Sequence, residues 1–133
     1  MKPRIMIVDD DELVRESVGA FFDSEGIPYC AAASGDECLE FLEDGFRGVI
    51  LMDVMMPVMS GWDTIREIVR ADLFEGNIIV MLTALNAPDN KMEGIQEYVT
   101  DYLTKPFKPE ELLDVLKYYF SLLSDLEPGH GAQ

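Results

Sequence analysis

Short apolar-rich runs alternate along this chain with longer stretches in which apolar residues return every three or four positions. The runs are Ile5–Val8, Ile27–Ala33, Gly48–Met52, Ile78–Leu82 and Val99–Thr104. All five read as strands; the short all-apolar runs before Asp9 and Asp53 read as buried ones, the latter on both faces, the kind found in parallel sheets. The second, rich in Ala, is the weakest. Five helices are expected between and after them. The first places Leu13, Val14, Ser17, Val18, Phe21 and Phe22 on one side and stops at Gly26. Ser34 with Glu37 forms a capping box that opens a helix through Leu42, ended by Gly45. Ser60 with Asp63 opens the next, which keeps Ile65, Ile68 and Val69 inward and closes at Gly76. Pro88 starts a helix to about Glu97, anchored mainly by Met92 and Ile95 and so the least firmly packed. Pro109 starts the last, where Leu112, Leu113, Val115, Leu116, Tyr119, Phe120 and Leu123 make a broad apolar face. Strand then helix, five times over, demands an α/β fold: a doubly wound parallel sheet with helices on both faces. One domain is expected over 1–124, with a flexible tail or linker stub over 125–133 that includes His130.

Charge narrows the function. There are 26 acids against 10 bases, a formal net charge of −16. Nucleic-acid binding is therefore not expected, since phosphate contacts need clustered Lys and Arg. Cations and basic partner surfaces suit the chain instead. Cys30 and Cys38 match no zinc or redox spacing and read as buried free thiols of a cytoplasmic protein. No apolar run is long enough to span a membrane. Met1 to Arg4 leads straight into the first strand, unlike a signal peptide.

Candidate chemistry stands at the strand ends. The first strand runs into Asp9 and Asp10, the third into Asp53, the fourth into Thr83 and the fifth into Lys105. Each alone is ordinary: Asp is a good turn residue, and an acid run at a helix start is a solvated, dipole-stabilised cap. Together, at one edge of a parallel sheet, they form a constellation. Two carboxylates about 4 Å apart repel by roughly 4 kcal/mol at an effective dielectric near 20, a cost that a divalent cation removes. Oxygen ligands with room for water favour Mg²⁺. Lys105 adds a fixed positive charge and Thr83 a hydroxyl donor. The set suits a phosphoryl group attacked in line by a carboxylate.

These residues resemble a known family. The segments Ile5-Met6-Ile7-Val8-Asp9-Asp10-Asp11-Glu12, Leu51-Met52-Asp53-Val54-Met55-Met56-Pro57-Val58-Met59-Ser60-Gly61, Met81-Leu82-Thr83-Ala84 and Asp101-Tyr102-Leu103-Thr104-Lys105-Pro106-Phe107 are similar to the receiver domains of two-component response regulators, the CheY-like superfamily. The likeness covers residues 3 to 124. It implies a flavodoxin-like sheet of strand order 2-1-3-4-5. It also implies that Asp53 accepts a phosphoryl group from a sensor histidine kinase or a histidine phosphotransfer protein. By position Asp10 and Asp53 would bind Mg²⁺ (or Mn²⁺) directly, Asp9 largely through water, and Met55 through its backbone carbonyl. Thr83 and Lys105 would hold the phosphoryl oxygens, Tyr102 would be the aromatic switch, and Lys105-Pro106 would be a cis peptide. Met55 and Leu85 would flank the path of the attacking water and tune dephosphorylation. The face formed by the 88–97 helix, the fifth strand and the last helix would serve partner binding or a homodimer. Such a domain is a phospho-acceptor, not an enzyme that turns over substrate. Tyr98 departs from the family, which commonly has Gly where the 88–97 helix ends.

Two alternatives bear on the same residues. A haloacid-dehalogenase-type aspartyl-phosphate phosphatase needs a second Asp two residues after the nucleophile, where this chain has Met55. A degenerate receiver would act only as an interaction module, although all five active-site side chains are present.

Overall fold

The computed structural model describes residues 2–84 and 95–126. The strands are β1 (Ile5–Val8), β2 (Cys30–Ala32), β3 (Val49–Asp53), β4 (Ile78–Ala84) and β5 (Val99–Lys105). They form one parallel sheet in the order β2-β1-β3-β4-β5. Four helices are described: α1 (Glu12–Ser24), α2 (Gly35–Glu43), α3 (Gly61–Arg70) and α4 (Pro109–Leu126). The last runs past the expected boundary at 124. The expected helix from Pro88 to about Glu97 falls largely outside the described residues; its visible end is a single 3-10 turn, Gln96–Tyr98. Among the described residues, no helix is long and apolar enough to cross a membrane.

β1, β3 and most of β4 are buried on both faces because the sheet is covered on both; the edge strands β2 and β5 are only partly buried, β5 burying Leu103 alone. Met6, Val8, Ile50, Met52, Ile79 and Met81 pack on one side with Leu42 of α2 and with Trp62, Ile65 and Ile68 of α3. Ile5, Ile7, Val49, Leu51, Val80 and Leu82 pack on the other with Val18 and Phe22 of α1 and Leu112, Leu116 and Leu123 of α4. Each such side chain contributes roughly 1.5–3 kcal/mol when fully buried. A one-residue slip of β3 would exchange its two faces. Asn77 opposes that slip: its Oδ1 accepts from the Gly48 N–H and its Nδ2 donates to the Leu73 carbonyl, both at 2.9 Å.

Several local expectations are corrected. The second strand forms over three residues only, because the Ile27 N–H closes α1 on the Phe22 carbonyl and Pro28 has no N–H to offer. Leu13 is 72% exposed, so the buried face of α1 is narrower and centres on Val18 and Phe22. Ser34 does cap α2 by accepting from the Glu37 N–H, but the Glu37 carboxylate reaches back to the Ala33 N–H instead of Ser34. At α3 the Ser60–Asp63 box is reciprocal. Gly76 does not close α3. Asp72, at φ 61°, takes the left-handed position there, with its N–H on the Val69 carbonyl and the Leu73 N–H on the Ile68 carbonyl. Gly26 and Gly45 do end α1 and α2 in that way. Tyr98 avoids the left-handed region and packs edge-on against Phe74, ring centroids 5.0 Å apart. The two thiols are free, with Cys38 buried and Cys30 half-buried.

Candidate functional site

The carboxyl ends of β1, β3, β4 and β5 meet at one edge. Asp9 follows β1 and is fully buried; its N–H continues the sheet by donating to the Ala32 carbonyl at 3.1 Å. Asp53 is the last residue of β3 and is 6% exposed. Asp10 is exposed. Asp9, Asp10 and Asp53 each present a carboxylate oxygen within 4.8 Å of the other two. Lys105, the last residue of β5, donates to Asp9 Oδ2 at 2.7 Å and to Asp53 Oδ1 at 3.1 Å. The Lys105–Pro106 peptide is cis.

Burial and the neighbouring charge of Asp9 push the Asp53 carboxyl up to about 6, against the pull of the Lys105 ammonium. For Lys105, burial disfavours the charge. The hydrogen bond to Asp9 and the charges of Asp53 and Asp9 more than offset it, and its pKa is raised. One ammonium among three carboxylates leaves the edge net negative. A hard cation with oxygen ligands fits this donor set, and the exposed Asp10 leaves room for water in its shell.

Other expected site residues stand as follows. Thr83 pairs with Thr104 in the ladder and sits at the same edge, but its hydroxyl donates to the Ala84 carbonyl at 3.1 Å. Tyr102 is 43% exposed. Its side chain alternates away from Lys105 on β5. Met55 is 73% exposed, in the loop directly after Asp53. Leu85 lies outside the described residues.

The structure adds residues that the strand-end reading misses. The Asp11 N–H donates to Asp9 Oδ1 at 2.9 Å, and Asp11 Oδ1 in turn accepts from Leu13 N–H, capping α1. Arg15 Nη1 donates to the Asp9 carbonyl at 2.8 Å. Gly61 holds α3 against the end of β3: its N–H donates to the Val54 carbonyl at 2.9 Å, and a Cβ there would run into the Asp53 carbonyl oxygen. Trp62 follows in the first turn of α3, 1% exposed. A Gly in the first turn of a helix is the sequence signal that could have found this close approach. Bonds between a side chain and a distant carbonyl leave no such mark.

The family model for the response regulator receiver domain matches residues 5–117. The chain is 35% identical over 113 residues to the phosphate regulon transcriptional regulatory protein PhoB of Pseudomonas aeruginosa, covering 85% of this chain and 49% of that protein. It thus spans about half the length of the curated relatives it matches. A CheY-like receiver domain protein from Methanospirillum hungatei JF-1 superposes with a TM-score of 0.87 at 49% identity, covering 91% of this chain and 96% of that one. The receiver domain of the Saccharomyces cerevisiae response regulator Ssk1, solved with the histidine phosphotransfer protein Ypd1, gives 0.78 at 26% identity, covering 91% and 90%.

Proposed function

The chain belongs to the response regulator receiver domain family, and from that premise we propose that Asp53 accepts a phosphoryl group from a phosphohistidine. The donor is a sensor histidine kinase or a histidine phosphotransfer protein. The observation that carries this reading is the Lys105 ammonium shared between Asp9 and Asp53 beside a third carboxylate. In that position Lys105 can pass from a carboxylate oxygen to an incoming phosphoryl oxygen with little movement.

Asp53 is the nucleophile. One of its oxygens forms the bond to phosphorus as the bond from phosphorus to the imidazole nitrogen breaks. At neutral pH a carboxyl titrating at about 6 is mostly ionised and so competent to attack. Asp10, Asp53 and the Met55 carbonyl would hold Mg²⁺ (or Mn²⁺), with Asp9 acting through water. When bound, the cation neutralises phosphoryl oxygens and so lowers the barrier to transfer. Thr83 gives up the Ala84 carbonyl to donate to a second phosphoryl oxygen.

The surface beside Lys105 supports such a partner. A groove of about 410 Å³ runs past it, lined by Leu13, Val14, Val18, Pro106 and Phe107. An apolar groove of this kind offers a docking face to the protein that carries the phosphohistidine. The chain signals by changing state, catalysing only its own phosphorylation and slow dephosphorylation.

Incubation with acetyl phosphate and Mg²⁺ tests the reading. The intact mass should rise by one phosphoryl group, as an acid-labile adduct, and Asp53→Asn should abolish the rise. Fast turnover of other phosphoesters would favour the phosphatase, and an unreactive wild type the interaction module.

A further inference from the structure

Resting on the receiver reading above, we infer that Arg15 is a positioning residue for the cation site. It acts by clamping the backbone that carries Asp10. Helical side chains lean toward the N-terminus. Arg15, one turn into α1, therefore reaches back over the helix start to the Asp9 carbonyl at 2.8 Å. That carbonyl belongs to a fully buried residue and lies past Val8, the last residue of β1 paired with β3.

The clamp has a second jaw. The Asp11 N–H closes on Asp9 Oδ1 at 2.9 Å. Asp9 is itself tied on its remaining sides, by its N–H on the Ala32 carbonyl and by Oδ2 on Lys105. Asp10 thus sits on a short span held at both ends: Arg15 grips the carbonyl before it, and Asp11 closes the turn after it. Its exposed carboxylate is then aimed by a backbone with little freedom. Among the described residues the Arg15 guanidinium donates to this carbonyl and pairs with none of the three site carboxylates.

A plain structural role predicts something different. If Arg15 only satisfied a buried carbonyl, its loss would destabilise the fold with or without metal. If it acted only as a charge near three carboxylates, its loss would tighten cation binding. Positioning predicts the opposite sign.

The test titrates Mg²⁺ into wild type, Arg15→Ala and Arg15→Lys by calorimetry, with thermal melting in EDTA as the check on folding. Arg15→Ala should bind Mg²⁺ about ten-fold more weakly, the low end of what losing an outer support of a metal site costs. Arg15→Lys, which keeps one donor, should recover part of that loss. Melting in EDTA should move much less than melting in Mg²⁺. Equal or tighter Mg²⁺ binding by Arg15→Ala would overturn the inference and leave the receiver reading intact. A wild type that bound no Mg²⁺ would overturn both.

Discussion

Asp9 and Asp53 share one ammonium unequally: Lys105 lies 2.7 Å from Asp9 and 3.1 Å from Asp53. Asp9 also holds the Asp11 N–H on its other oxygen. Asp53 is thus the less well served of two buried carboxylates, and burial and the charge of Asp9 push its carboxyl up to about 6 against the pull of Lys105.

This makes the metal-free fold pH-dependent with a definite sign. An unfolded Asp titrates near about 3.9, so between about pH 4 and pH 6 the unfolded chain has lost a proton that native Asp53 keeps. Stability from this group therefore falls as pH rises through that window, and the full cost stands above it. A shift of about two units corresponds to roughly 3 kcal/mol. In EDTA near neutral pH, Asp53→Asn should be the more stable protein by roughly 1–3 kcal/mol. The gap should close toward about pH 4. Urea denaturation at several pH values measures it, and a gap independent of pH would refute the assignment.

Mg²⁺ should raise the melting temperature, since it binds the folded acid cluster and not the dispersed one. Asp10→Asn should stabilise the apo protein by relieving repulsion while weakening Mg²⁺ binding. A wild-type melting curve unmoved by millimolar Mg²⁺ would contradict this.

The phosphoryl group should be long-lived. Met55 stands two residues past the acceptor, largely exposed. Its thioether is at most a weak acceptor and does not orient an attacking water. Decay of the acid-labile adduct should take minutes or longer, and Met55→Glu or Met55→Asn should change it. Decay within seconds, or a rate indifferent to the substitution, would count against this role.

The signal should leave along β5. Tyr119 donates its hydroxyl to Asp101 Oδ2 at 2.8 Å, and the Tyr102 N–H donates to Asp101 Oδ1 at 2.7 Å. One carboxylate therefore joins α4 to the strand position that carries the exposed Tyr102. Turning Thr83 toward a phosphoryl group would bias this arrangement. Amide exchange with and without beryllofluoride should differ across 85–104 as well as at Asp9, Asp53 and Lys105. Changes confined to those three positions would rule the switch out.

Val58 is a fully exposed β-branched residue at φ 69°. Such a conformation costs on the order of 1 kcal/mol or more. Val58→Asn, which tolerates it better, should gain about that much in chemical denaturation. A loss of stability would show the strain to be compensated.

Much of this was legible beforehand. Buried strands announce themselves by unbroken apolar runs, so Asp53 and Thr83 could be placed at strand ends from spacing alone; β5 is a mixed edge strand, and Lys105 was placed by the Pro106 that follows it. Closure of helices by left-handed residues was legible at Gly26 and Gly45 but not at Asp72, because Asp serves caps and turns of every kind. The Arg15 bond to the Asp9 carbonyl was not legible either. A main-chain acceptor carries no residue identity, so no pairing of side chains betrays it. The Asp101–Tyr119 bond joins residues 18 apart whose neighbours already had roles in the apolar pattern.

Trp62 has an optical consequence. It is the sole tryptophan of the chain, buried next to the glycine that leans on the Asp53 carbonyl. The protein therefore carries one native indole, in a dry setting, beside the strand end that bears Asp53. Its emission should change when that edge of the sheet is filled, with no second indole to dilute the signal.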